Sequence, residues 1–302
     1  MKKLNVVTGA FGYSGSYIAK LLTKKGLELR TLTNKKVSDE ERAGIEVIPY
    51  CFEDPEALCR ALEGADTLYN TYWVRFNYGD RKYGLAVENT KRLIKAAVRA
   101  GVRRIVHVSI TNPSEESQLP YFKSKAVLER EIMESGLSYA ILRPTVLFGK
   151  EDILINNISW FLRKFPIFGM LGNGKYKLKP VFVEDLAALA VEQGARDENV
   201  VLDAVGPEIF SFKNLVSVIR HEIGSKALVV RMPAGLALAA SRVAGRLLGD
   251  VVITEDEVKG LSAGLLVSSD PPTCPTRFSD WLKDNKDTLG IGYSSELKRH
   301  YQ

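Results

Sequence analysis

Three side chains stand where acid–base chemistry could be done. Tyr121 and Lys125 lie in YFKSK, a spacing that puts both on one face if the segment is a helix. An ammonium beside a phenol favours the phenolate and lowers the tyrosine pKa. The phenol then becomes a better general acid or base near neutral pH. Ser109 closes the apolar run RRIVHVS upstream, and a hydroxyl there can orient a carbonyl or stabilise a developing oxyanion. The spacing alone arises often by chance, and a helix-start tyrosine with a solvated lysine would produce it too. Its place in the chain gives it weight.

A second group needs backbone rather than side chains. Residues 4 to 16 read LNVVTGAFGYSGS, with Gly9, Gly12 and Gly15 between an apolar run and an amphipathic stretch. Gly9 permits a tight turn, Gly12 lets backbone approach a pyrophosphate, and Gly15 lets the helix pack closely. The helix N-terminus then offers free N–H groups and the positive end of its dipole to phosphates. The second apolar run ends Thr33-Asn34-Lys35-Lys36, without the acid that commonly binds ribose hydroxyls. A 2′-phosphate is attracted by lysine and repelled by carboxylate, so NADP is expected ahead of NAD. A solvated loop would explain Lys35 and Lys36 equally simply.

The elements that must position these groups alternate. Strand-like runs at 4–8, 27–33, 44–50, 67–72, 103–109 and 137–145 are separated by helix-like segments. PEALCRALEGA opens on Pro55 and closes at Gly64, and the helices at 84–101 and 121–136 also close on glycine. Such alternation predicts an α/β fold: a doubly wound parallel sheet of Rossmann type with helices on both faces. Beyond Gly149 the pattern loosens. A dinucleotide-binding domain is expected over residues 1–149, with 179–205 returning to it. Residues 150–178 and 206–302 are expected to form a smaller substrate-binding cap, with Trp160, Phe161, Phe165 and Phe168 in its core or pocket wall. Glu184 and Asp185 read as a helix cap and first turn. His107, inside an apolar strand, reads as a core residue.

Composition excludes several classes. The 302 residues are 45% hydrophobic and 26% charged, an ordinary globular mix. The net charge of +6 is spread along the chain, which argues against a nucleic-acid surface. Cys51, Cys59 and Cys274 form no metal-binding or disulfide pattern. No hydrophobic signal region opens the sequence, so a cytoplasmic location is expected. The segment PAGLALAASRVAGRLLGD, residues 233–250, is too short and too charged to span a membrane. It reads first as a buried or pocket-lining helix, with a membrane-surface helix as the alternative.

TGAFGYSG, VHVS, YFKSK and ILRPTVLFG together resemble the short-chain dehydrogenase/reductase superfamily. KPVFVEDLA and the larger C-terminal part resemble its extended and atypical branches, and ENTKRLIKAAVRAGVRRIVHVS followed by PYFKSKAVLE resembles the atypical group near the complex I accessory-subunit and epimerase-like proteins. The resemblance implies that Gly9, Phe11, Gly12, Tyr13 and Gly15 meet the pyrophosphate of NAD(P). It sets Thr33, Asn34 and Lys35 against the adenosine ribose, and Cys51 and Phe52 beside adenine. Asn70, Thr71 and Tyr72 would line the path to the nicotinamide, with Pro144, Thr145 and Val146 near its ring. Ser109, Tyr121 and Lys125 would be catalytic, and Lys125 would also hold the nicotinamide ribose. Ser109 is followed by Ile110 rather than a second hydroxyl, so Thr111 is the alternative hydroxyl. The activity implied is an oxidoreductase or epimerase acting on a carbonyl or secondary alcohol, a sugar nucleotide among the candidates. A non-catalytic NADP(H)-binding subunit or redox sensor is the other reading, and pairing into a homodimer fits either.

Overall fold

The structure is a computed structural model that describes residues 3–42 and 44–300. In chain order the first elements are β1 (Leu4–Thr8), α1 (Tyr13–Lys24), β2 (Glu28–Leu32), α2 (Asp39–Arg42), β3 (Glu46–Ile48), α3 (Pro55–Leu62), β4 (Ala65–Asn70), α4 (Tyr83–Arg99), β5 (Arg104–Val108), α5 (Pro120–Met133) and β6 (Ser138–Pro144). Then come β7 (Leu147–Phe148), α6 (Leu154–Lys164), β8 (Ile167–Leu171), β9 (Lys177–Leu178) and β10 (Val181–Phe182). The chain continues through α7 (Val183–Gly194), β11 (Val200–Ala204), β12 (Phe210–Ser211), α8 (Phe212–Glu222) and β13 (Leu228–Met232). It finishes with α9 (Ala234–Leu248), α10 (Glu255–Ser262), α11 (Phe278–Asn285) and α12 (Glu296–His300).

The chain divides into two compact units. The first holds the described residues as far as Pro144 together with Val183–Ala204; the second holds Thr145–Phe182 and the described residues from Val205 onward. The first unit is a seven-stranded sheet ordered β3-β2-β1-β4-β5-β6-β11, with every pair parallel. The order reverses between β1 and β4. At such a switch point, loops leaving neighbouring strands splay apart and leave a crevice for ligands at the carboxyl ends. Helices α1 and α7 pack together, and α3, α4 and α5 pack in sequence along the chain. Val6, Leu68, Leu93, Ile105, Ile132 and Ile141 share one continuous apolar core. Because both faces are covered, the strands are apolar on successive residues, which is why VVT and IVHV read as unbroken runs.

Local sequence sets the helix starts. Asp54 caps α3, accepting from the backbone N–H of Glu56 and Ala57, with Pro55 in the first turn. Pro120 takes the first position of α5, where its missing N–H costs nothing, and so Tyr121 stands in the opening turn. Glu184 and Asp185 occupy the first turn of α7.

The second unit has its own core, in which Phe148, Phe212, Ile219, Phe278, Trp281 and Leu282 are buried together. Phe168 packs against this core, whereas Trp160, Phe161 and Phe165 form a separate ring cluster with Tyr293, and Phe165 is exposed. One expectation fails here. The segment 233–250 contains α9, which is not a buried helix: only Gly245 of it is buried. Alanine and glycine reach too short a distance from the helix axis to reveal from sequence which face packs.

Candidate dinucleotide and acid–base site

Between β1 and α1 the chain turns on Gly9, whose φ of +70° lies in the left-handed region that favours glycine. Its N–H donates to the Leu32 carbonyl, and its own carbonyl accepts from Gly12 N–H. The turn therefore folds onto itself and brings its backbone against α1. A Cβ on Gly15 would lie 2.2 Å from the Gly9 carbonyl oxygen, so no side chain fits at that position. A Cβ on Gly12 would lie 3.2 Å from the same oxygen. Gly12 caps α1 without a side-chain bond, and the first turn carries no acid. The α1 N-terminus thus presents N–H groups and a positive dipole end with no internal anion to neutralise them. Lys35 adds a cation from the end of β2, its Nζ donating to the Phe11 carbonyl at 3.2 Å.

The neighbouring strand ends are knitted by polar groups. Thr33 is buried and its hydroxyl accepts from Lys35 N–H; Asn34 Oδ1 accepts from Tyr50 N–H. Both side chains thus hold the turn between β2 and β3. Tyr50, Phe52 and Tyr72 form a ring cluster, with centroids 4.7, 5.2 and 5.0 Å apart pairwise. Burial raises the Tyr50 and Tyr72 phenol pKa values and that of the Cys51 thiol, so this corner offers neutral rings and a neutral thiol. Tyr72 also accepts from Asn89 through its hydroxyl.

Deeper in the crevice, Thr8 Oγ1 donates to Asn70 Oδ1 at 3.0 Å and accepts from the N–H of Thr71 and Tyr72. Thr71 Oγ1 returns a bond to the Thr8 carbonyl. The Tyr72 N–H also donates to Asn70 Oδ1, which fixes the amide so that Nδ2 faces His107 Nδ1 at 3.0 Å. His107 must then carry its proton on Nε2, an atom that is buried without a hydrogen-bond partner. Burial first, and the Lys125 charge second, hold the His107 pKa well below its ordinary value.

Lys125 is buried. Its Nζ donates to the Val108 carbonyl at 2.9 Å and sits 4.3 Å from the centre of the Trp73 ring. Desolvation pulls its pKa down to about 7, against a smaller upward pull from Glu129. Trp73 stacks on Tyr83 and meets Tyr121 edge-on at 5.7 Å, so one indole touches both members of the Tyr–Lys pair. Ser109 is turned elsewhere. Its hydroxyl donates to the buried Glu129 carboxylate at 2.5 Å, and Arg143 grips that carboxylate from β6 at 2.5 to 3.2 Å. Thr111 is buried, with its hydroxyl 3.4 Å from Asp203.

The NmrA-like family matches residues 1–239. The chain belongs to the NmrA-like family. It is 24% identical over 288 residues to the mitochondrial NADH dehydrogenase (ubiquinone) 1 alpha subcomplex subunit 9 of Arabidopsis thaliana, covering 87% of this chain and 70% of that one. Among solved structures it resembles the Citrobacter sp. triphenylmethane reductase complexed with NADP(H), with a TM-score of 0.71 and 20% identity over 93% of this chain and 99% of that one. It also resembles the NADPH-dependent quinone oxidoreductase QOR2 of Escherichia coli complexed with NADPH, with a TM-score of 0.73 and 22% identity over 94% of this chain and 99% of that one. The resemblance to the extended and atypical short-chain dehydrogenase/reductase branch near complex I accessory subunits is thereby shown, as is the Rossmann-type fold.

In this NmrA-like chain the first unit holds Gly9, Phe11, Gly12, Thr33, Asn34, Lys35, Cys51, Phe52, Thr71 and Tyr72 on loops leaving β1 to β4, Tyr13 and Gly15 in the first turn of α1, and Asn70 at the end of β4. Ser109, Tyr121, Lys125 and Pro144 belong to the same unit, at β5, α5 and β6, whereas Val146 falls in the second. The sequence reading missed Glu129 and Arg143. Glu129 stands one helical turn beyond Lys125, on the face already singled out, and that spacing was the available signal.

Proposed function

We propose that the chain binds NADP(H) on the glycine loop and uses it as a short-chain-type oxidoreductase or epimerase on a carbonyl or secondary alcohol. The observation that carries the reading is the glycine cradle: Gly9 turns the chain at φ +70°, and a Cβ added at Gly15 would strike the Gly9 backbone. Its uncapped, acid-free helix start suits a pyrophosphate. Lys35 and the absence of an acid at the end of β2 favour the 2′-phosphate form. The rings of Phe52 and Tyr72 suit a flat adenine, and the solved neighbours named above carry NADP(H) or NADPH.

When bound, the nicotinamide supplies or accepts a hydride. The protein must move the matching proton, and Tyr121 Oη is the group proposed for it. Lys125 titrates near neutrality and shares Trp73 with Tyr121, so its charge would bias the phenol toward giving or taking a proton. With the Ser109 proton held by Glu129, the oxygen-positioning role is open to Thr111 only if its contact with Asp203 gives way.

A second reading is a non-catalytic cofactor-binding subunit, and specific observations favour it. The Ser109 hydroxyl donates to Glu129, and the Lys125 ammonium gives one hydrogen bond to the Val108 carbonyl, both inside the protein. The Arabidopsis relative is by its name a subunit of a larger enzyme. Titration with NADPH and NADH, read by nicotinamide fluorescence, tests the shared part: NADPH should bind more tightly, and binding of neither removes both readings. Tyr121→Phe separates them. Loss of carbonyl reduction with cofactor affinity retained supports the enzyme. Absence of any turnover by the unaltered chain across carbonyl substrates supports the subunit.

A further inference from the structure

Helix α9 is apolar on two sides. Its buried position is Gly245, and Ser241 is half-buried on the same side. On the opposite side Leu236, Val243 and Leu247 follow one another at helical spacing, and they are 62%, 58% and 83% exposed. Leu238 and Leu248 are half-buried on the Gly245 side, as in a helix that covers a core, yet a second apolar set is left in solvent on the other side. The stripe is flanked by Arg242 and Arg246, one turn apart and exposed, and α9 contains no acidic residue. Two of the three acids that open α10 are engaged locally. Glu257 closes a capping box with Thr254, and Glu255 pairs with Lys259 at 2.8 Å while also lying in the field of Arg242.

The apolar surface extends beyond the helix. Strand β8, against which α9 packs, pairs in parallel with β13. There the register partners Ile167 and Leu228 are both more than half exposed. Among the described residues no helix is long and apolar enough to cross a membrane, so this surface cannot be the side of a spanning segment. An apolar stripe bordered by arginines and free of carboxylates is complementary to an anionic bilayer interface: acyl chains take the leucines and lipid phosphates take the guanidinium groups.

We propose that α9 is a membrane-surface helix that seats the second unit on anionic lipid through Leu236, Val243 and Leu247, with Arg242 and Arg246 at the headgroups. This is independent of any cofactor reading. The test is flotation of the full chain with vesicles of equal parts phosphatidylcholine and phosphatidylglycerol, against vesicles of phosphatidylcholine alone. The chain should float with the anionic vesicles and much less with the neutral ones. Val243→Glu with Leu247→Glu should cut binding at least about tenfold, since two apolar contacts are replaced by repelled charges. Arg242→Gln with Arg246→Gln should cut it by about twenty-five-fold, from a contribution near fivefold per arginine. Because all four side chains are exposed, the thermal unfolding midpoint should not move, which separates loss of binding from loss of fold. Absence of flotation, or flotation indifferent to these substitutions, overturns the proposal. So does a concentration-dependent dimer that the glutamate pair dissociates while vesicle binding is absent, which would make a second copy of the chain the occupant.

Discussion

The two sides of the first unit's crevice are made of different material. On the β1–α1 side the cradle is backbone, and its requirement is negative: nothing may stand at Gly15. On the β5–α5 side the groups are side chains, and almost every one has found a partner: Ser109 on Glu129, Glu129 on Arg143, Lys125 on Val108 and Trp73. A backbone cradle binds whatever anion fits and keeps no internal competitor. A side-chain site must first surrender its internal contacts. Binding and turnover therefore rest on separable physics in this chain, and substitutions can be chosen that act on one side only.

The largest effect is expected from Gly15→Ala. The new Cβ meets backbone that cannot swing aside, so binding of NADPH should be lost and stability should fall by about 1–3 kcal/mol or more. Denaturant unfolding combined with nicotinamide fluorescence reads both, and a variant that binds normally would end the contrast between the two sides.

Lys125→Met acts on the other side, and its signature is in pH. The lysine pKa is depressed to about 7 in the folded chain from about 10.5 when unfolded. Between those values the unfolded chain holds the proton and the folded chain does not, so this group makes stability rise with pH across that window. The slope is at most about 1.4 kcal/mol per pH unit. Lys125→Met should remove that rise and stabilise the chain below pH 7, where the wild type carries a buried charge. Denaturant midpoints measured from pH 6 to 10 on both proteins test it; parallel curves would mean that the ammonium is solvated.

The smallest effect belongs to Lys35→Ala, an exposed cation. NADPH affinity should fall by about fivefold, with NADH affinity nearly unchanged. Equal losses for both cofactors would assign Lys35 to the loop, through its bond to Phe11, rather than to a 2′-phosphate.

The same contrast governs what could be read from the sequence. The glycine cradle, six of the seven parallel strands and the helix start at Pro55 were legible because each depends on a residue type at a local spacing; β11 and the helix start at Pro120 were not read. The inward ties of the acid–base side were not. Glu129 meets Ser109 across twenty positions and Arg143 across fourteen, so their meeting is a product of the fold. The seat of Trp73 beneath the Lys125 ammonium likewise depends on how α5 lies over the strand ends. The face that α9 presents could not be read because leucines stand on both of its sides, Leu236 and Leu247 on one and Leu238 and Leu248 on the other.

Arg104 carries a consequence for synthesis. It is fully buried on β5, with Nε donating to the Gln193 carbonyl at 2.7 Å and Nη2 to the Glu198 carbonyl at 2.8 Å. Both acceptors follow the whole 145–182 excursion in the chain. While a ribosome is still translating that excursion, Arg104 has already emerged and neither carbonyl yet exists. A guanidinium cannot be buried without acceptors, so the carboxyl-proximal edge of the sheet must wait. At 5–20 residues per second the delay amounts to roughly several seconds, during which β6 remains an open edge. The nascent chain is thus obliged to begin its second unit before it can finish its first.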